Sequence, residues 1–223
     1  MSCIITVDGP SGAGKGTLCR LLAKATGYAL LDSGALYRLT ALAALQRGLD
    51  ITDEESVAEV ASNLDVAFMT SQTGVEVMLE GKNVSLDIRQ ESAGMAASKV
   101  AALPLVRAAL LARQRAFAST EGLVADGRDM GTVVFPHAAV KLFLTASAQV
   151  RAERRLLQLQ ASGEMPDFDK ILAAIITRDK QDSERASSPL VAAPDAILLD
   201  STVLSIEQVF DVALHAVKKY TSL

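Results

Sequence analysis

The chain has 223 residues, 50% of them hydrophobic and 22% charged, with a formal net charge of −4. That size fits one globular α/β domain whose core needs neither disulfides nor metals. An acidic chain of pI near 5.3 lacks the broad basic surface that a nucleic-acid polymer requires. No apolar run approaches the roughly 18 residues of a membrane span, and no basic stretch precedes an apolar one at the start, so no secretory leader is expected. A cytoplasmic location is the expectation. Trp is absent and aromatics make up only 4%, which leaves Leu, Ile, Val and Ala to fill the core. Cys3 and Cys19 lack metal-ligand spacing and are expected to be reduced core thiols.

In chain order, residues 3–8 are apolar and β-branched and predict a buried strand. A Gly-rich turn follows, then a helix over 15–26. A short strand is predicted over 28–32, a helix over 35–47 that stops near Gly48, and another over 54–64 with Asp53 as N-cap. Residues 65–87 change character. Val66, Phe68, Val75, Val77, Leu79 and Val84 alternate with polar residues, and Thr73-Gly74 and Gly81-Lys82-Asn83 read as turns. This segment predicts a small antiparallel insert. Helices are expected over 92–102, 104–119 and 168–185, and a long helix follows the strand ending at 144 and runs through 160. Strands are expected over 123–125 (ending at Asp126), 140–144 and 196–199, and a closing helix over 206–219.

The order predicts a parallel sheet covered by helices on both faces. Ligands of such sheets sit beyond the C-terminal ends of the strands. Asp8, Asp32, Asp126 and Asp200 each lie at such an end. One domain is expected over 1–223, with a core of 1–48, 103–150 and 186–223, a substrate-binding and insert region of 49–102 and a lid of 151–185.

Gly9-Pro10-Ser11-Gly12-Ala13-Gly14-Lys15 fits G-x-x-x-x-G-K between a strand and a helix, the context that a phosphate-binding loop requires. Its glycines let backbone N–H groups converge on phosphate oxygens, the helix N-terminus adds partial positive charge, and Lys15 supplies a mobile cation. Gly16 and Thr17 follow where the general motif has Ser or Thr directly. Asp126 closes a strand, and a carboxylate there can hold Mg²⁺ through water.

Arg151, Arg154 and Arg155 are spaced to share one helix face, as are Arg178, Asp182 and Arg185. The second face borders the apolar stripe of Ile171 and Ile175, so its charges are expected to point partly inward. The segment 151–185 therefore reads as a basic lid over phosphates.

Four segments together resemble the bacterial cytidylate kinase family. They are Asp8-Gly9-Pro10-Ser11-Gly12-Ala13-Gly14-Lys15-Gly16-Thr17, Leu31-Asp32-Ser33-Gly34-Ala35-Leu36-Tyr37-Arg38, Asp126-Gly127-Arg128-Asp129-Met130-Gly131-Thr132 and Leu199-Asp200-Ser201-Thr202. The first alone indicates only a phosphate loop; the four in order are far more specific and span nearly the whole chain. The resemblance implies a P-loop NTP hydrolase type of fold and transfer of the γ-phosphate of ATP to CMP or dCMP, with Mg²⁺. It implies that residues 9–17 cradle ATP with Arg155, and that Thr17 supplies the hydroxyl near Mg²⁺. It further implies that Ser33, Tyr37 and Arg38 shape the CMP pocket and that Ser98, Arg107 and Asp129 read the cytosine. Arg128 would take the acceptor phosphate, Arg178 and Asp182 the phosphate and sugar side, and Lys15, Asp126, Arg128, Arg178 and Arg185 would carry the catalysis. Segment 65–87 matches the insert that distinguishes this family from shorter relatives. Gln181 stands where the family often has a basic residue. A monomer is expected by analogy.

The chemistry agrees with that assignment. A carboxylate at Asp129 accepts from the cytosine amine and repels the uracil carbonyl. A phosphate monoester has a second pKa near about 6, so it attacks as a dianion and needs no general base. His137 and His215 are expected to be incidental. The remaining task is to bring two anions into line, which cations do. A slow GTP-hydrolysing switch would carry an N-K-x-D motif, which this sequence lacks. A nucleotide sensor without turnover would have lost the Lys and Arg set. A kinase of UMP or another small metabolite differs in acceptor preference.

Overall fold

The computed structural model describes residues 3–71, 74–118 and 121–220. Thr73 of the expected turn and Ser119 at the expected helix end lie outside the described residues. The chain forms two compact units, Met1–Asp32 with Arg115–Leu223, and Ser33–Gln114.

The first unit is built on a five-stranded parallel sheet of β1 (Ile4–Asp8), β2 (Ala29–Asp32), β6 (Leu123–Gly127), β7 (Val140–Thr145) and β8 (Ile197–Asp200), in the order β2-β6-β1-β7-β8. Period-two alternation divides the work of β1 between its faces. Ile5 and Val7 enter a core with Leu18, Cys19 and Leu22 of α1 (Lys15–Thr26), with Leu142 and Leu144 of β7, and with Val209, Ala213 and Val217 of α8 (Ile206–Tyr220). Thr6 and Asp8, also buried, occupy the alternate positions. Burial pushes the Cys19 thiol well up, in keeping with an inert core residue. Cys3 is only half-buried.

The strand ends align. Asp8 is level with Gly127, Asp32 with Asp126, and Thr145 with Asp200, so the carboxylates expected at strand ends share one edge of the sheet. Helices α6 (Ala148–Ala161) and α7 (Phe168–Glu184) pack on each other in this unit.

The second unit contains α2 (Ser33–Gln46), α3 (Glu54–Ser62), α4 (Glu91–Val100) and α5 (Pro104–Ala116). It also carries a three-stranded antiparallel sheet of β3 (Val66–Ser71), β4 (Gly74–Leu79) and β5 (Lys82–Asn83). This sheet is the insert expected from the alternation. Val77, Leu79 and Val84 meet Leu39, Ala43, Val60, Leu64 and Ile88 in a core of its own. Asp53 caps α3 by accepting from the Ser56 amide. Helix α2 starts two residues earlier than expected, at Ser33, and that places the Ser33 side chain on helical geometry. No single helix among the described residues is long and apolar enough to cross a membrane.

Candidate active site

The loop between β1 and α1 is shaped by backbone that only glycine tolerates. A Cβ on Gly9 would lie 1.9 Å from the Leu144 carbonyl oxygen, so the loop leaves the sheet in direct contact with β7. Gly14, the α1 N-cap, has φ +96 and brings no capping side chain. The Thr17 and Leu18 amides bond the Gly14 carbonyl, each at 3.1 Å, and the amides ahead of them are the ones an anion can take.

Lys15 is 6% exposed. Its Nζ crosses the loop to donate to the Pro10 carbonyl at 2.9 Å and lies 4.0 Å from Asp126. Burial draws its pKa down to about 8, the Arg128 charge acts in the same direction, and Asp126 opposes both. Below that value the ammonium form predominates, so Lys15 is mainly a cation at neutral pH. Thr17 Oγ1 accepts from Arg20 at 3.2 Å, and a Cβ on Gly16 would come within 3.5 Å of Asp126 Oδ2. Position 16 thus borders the Asp126 carboxylate at the start of α1. A hydroxyl and one carboxylate are hard oxygen donors that suit Mg²⁺ sharing its shell with phosphate and water. No cluster of three acidic, His or Cys residues that could cage a metal occurs among the described residues.

After β6 the backbone forms a turn of π-helix over Met130–Val134, with Asp129 as its N-cap. Such turns concentrate at functional sites. The turn is pinned at both ends. Asp8 accepts from the Met130 and Gly131 amides, each at 2.8 Å. Arg115 donates to the Val134 and Val133 carbonyls at 3.0 and 3.1 Å. A Cβ on Gly131 would lie 2.9 Å from Thr6 Oγ1, so the turn sits directly on β1. Asp8 itself is raised to about 6, because burial outweighs the two amide bonds and Asp129 adds repulsion. Arg128 donates from Nε to Asp182 at 2.8 Å. Asp129 is buried.

The arginine face read from the 151, 154, 155 spacing divides in three dimensions. Arg151 is 4% exposed. Its guanidinium donates to Ala146 O at 2.9 Å, to Ser11 O at 3.0 Å, and with both terminal nitrogens to the Asp179 carboxylate. Arg154 donates to the carbonyl and hydroxyl of Ser201. For these two the expectation of a lid face over phosphates is corrected. Both turn donors to protein oxygens; the buried Arg151 guanidinium must find acceptors, and it shapes the loop that would hold the phosphates. Arg155 is half-buried. On α7, Arg178 Nη1 reaches Ser11 Oγ at 3.1 Å, Asp182 is buried, and Arg185 Nε donates to Ser188 O at 2.5 Å. The inward face expected for Arg178 and Asp182 is found. Lys15, Asp126, Arg128, Arg178 and Asp182 are thus brought together through the loop.

Within the second unit, Ser33 Oγ donates to Gln114 Oε1 at 2.8 Å. Arg107 lies with its guanidinium carbon 5.6 Å from the Tyr37 ring centroid, a cation–π distance, and donates to Ala101 O. Arg38 is half-buried, and Ser98 bonds back to Gly94 O of its own helix at 3.3 Å. The sequence reading missed Asp8 as an anchor, named Ser201 only within a family segment, and missed Arg115, Gln114 and Asp179 altogether. Asp8 had a visible signal, a carboxylate ending an apolar strand; the last three had none.

The profile of the cytidylate kinase family matches residues 5–219. The chain belongs to the cytidylate kinase family. Among similar curated proteins, the cytidylate kinase of Proteus mirabilis is 58% identical over 97% of this chain and 96% of its own length. That of Vibrio cholerae is 58% identical over 96% of each chain, and that of Aliivibrio salmonicida 59% identical over 95% of this chain and 94% of its own. The family motifs therefore lie on the elements just described: the phosphate loop before α1, Ser33 and Tyr37 at the start of α2, and Arg128-Asp129 at the head of the π-turn.

Proposed function

We propose that the chain transfers the γ-phosphate of ATP to CMP or dCMP, giving ADP and CDP or dCDP, as one kinase domain over 1–223 with residues 151–185 as its lid. The observation that carries this reading is the buried Lys15, cationic at neutral pH, placed between a phosphate loop with open helix amides and the Asp126 carboxylate.

Residues 9–17 hold the ATP phosphates, with Arg155 on the donor side. Lys15 follows the γ-phosphate as charge builds on it, and Arg128 and Arg178 draw the acceptor phosphate into line, with Arg185 and Asp182 supporting. The acceptor oxygen is already anionic, so no residue removes a proton before attack. Ser98, Arg107 and Asp129 read cytosine, and Ser33, Tyr37 and Arg38 shape the rest of the CMP pocket. Thr17 and Asp126 would hold Mg²⁺, which when bound neutralises phosphate charge and orients the chain of oxygens. The protein acts as a monomer in the cytoplasm and binds small nucleotides only.

The test is ADP release with ATP and Mg²⁺ across CMP, dCMP, UMP and AMP. Rapid turnover of CMP and dCMP, slower turnover of UMP and little of AMP is expected. Equal turnover of all four, or none, overturns the reading.

A further inference from the structure

A buried amide–hydroxyl pair in the second unit fixes a hydrogen-bond polarity. Gln114 is 1% exposed and Ser33 3% exposed. Gln114 Nε2 donates to Leu110 O, one turn back in α5, at 3.4 Å. A carbonyl oxygen only accepts, so the amide nitrogen is committed to that side and Oε1 faces Ser33. An amide oxygen also only accepts, so the Ser33 hydroxyl must donate its single proton at 2.8 Å. What Ser33 retains is lone pairs. A free serine is ambivalent and rotates to suit a donor or an acceptor; this one is an acceptor alone toward any third group. Tyr37 lies one turn further along α2, with the Arg107 guanidinium of α5 over its ring, and a guanidinium presents donors only. The α2–α5 pair thus offers both hydrogen-bond polarities, each preset.

We infer that Gln114 is a specificity-determining residue that acts through Ser33, making its hydroxyl favour the exocyclic amine of cytosine over the 4-carbonyl of uracil. This rests on the reading that Ser33 belongs to the CMP site, and adds to it that the Ser33 hydroxyl meets the base. The cytosine amine donates and meets a lone pair. The uracil oxygen accepts and would meet the same lone pair, unless Ser33 turned its proton away from Gln114. That turn would leave a buried amide oxygen unpaired, a penalty equivalent to about tenfold in kcat/KM. Gln114 touches no substrate in this scheme; it positions a proton.

The experiment measures kcat/KM for CMP and UMP, with the ATP KM as control, in the full-length protein. The variants are Gln114→Met, Gln114→Glu, Ser33→Ala and the Ser33→Ala/Gln114→Met double. Met keeps the volume of Gln and removes the acceptor, so the CMP:UMP ratio should fall about tenfold, partly through a gain in UMP turnover, with the ATP KM unchanged. Gln114→Glu keeps an oxygen that accepts from Ser33 and should keep the ratio. On the Ser33→Ala background Gln114→Met should change the ratio no further. Gln114→Leu carries the same expectation should Gln114→Met not give folded protein by circular dichroism. An unchanged ratio in folded Gln114→Met or Gln114→Leu, a fall in Gln114→Glu equal to that in Gln114→Met, or an equal fall on the Ser33→Ala background overturns the inference. A wild type that does not prefer CMP to UMP overturns the CMP-site reading itself, and the inference with it.

Discussion

Replacing Asp8 by Asn removes a buried carboxylate but keeps its shape. In the wild type the folded-state pKa is about 6 against an ordinary value of 3.8, because burial penalises the charge more than the Met130 and Gly131 amides reward it. Asp129 and Lys15 also act on Asp8, the first raising and the second lowering its pKa, and Lys141 reaches the adjoining Gly131. The sign follows from proton counting. Below 3.8 both folded and unfolded chains hold the proton and there is no penalty. Between 3.8 and about 6 the folded chain holds more protons, so stability falls as pH rises, and above 6 the penalty is complete. About two units at about 1.4 kcal/mol each give about 3 kcal/mol, a large share of a typical total of roughly 5–15 kcal/mol. Asn does not titrate. Its oxygen keeps one amide bond and its NH₂ faces the other amide, a pH-independent cost of about 1–3 kcal/mol. Urea unfolding of both proteins between pH 4 and 7.5 measures the difference directly. The variant should be the weaker at pH 4, and the gap should move by about 2.4 kcal/mol in its favour by pH 7. A gap that stays constant across this window would refute the assignment of the raised carboxyl to Asp8.

Lys15→Ala should lower kcat by at least about a hundredfold with an unchanged circular dichroism spectrum; near-normal turnover removes Lys15 from the mechanism. Asp129→Ala should raise the CMP KM far more than the ATP KM in steady-state assays, and equal changes in both would contradict base reading by this carboxylate. Arg151→Met should destabilise the fold by about 3 kcal/mol in urea, at the low end for a buried pair because Asp179 is 29% exposed. The double variant Arg151→Met/Asp179→Leu should recover most of that loss, and failure to recover would show that the contacts to Ser11 and Ala146 carry the effect instead.

The sequence by itself determined the parts that are local in the chain. Period-two and helical patterning placed nearly every strand and helix within a few residues, because the exposure of each face depends on near neighbours. The phosphate loop was legible because loops of this kind hold phosphate with consecutive backbone amides, so the whole motif fits in residues 9–17. The π-turn over 130–134 was not legible, since its pattern differs from an ordinary loop only in hydrogen bonds. The partners of the charged groups were decided by tertiary structure alone. Asp8 meets amides 122 and 123 residues away, Arg128 meets Asp182 54 away, Ser33 meets Gln114 81 away, and Arg151 meets Ser11 140 away. Spacing tells which helix face an arginine shares, but only the fold tells which oxygens it meets. A guanidinium removed from water must be paired wherever the fold supplies an acceptor. That is why Arg151, which spacing alone groups with Arg154 and Arg155, became a strut beneath the loop, bonded to Ser11, Ala146 and Asp179.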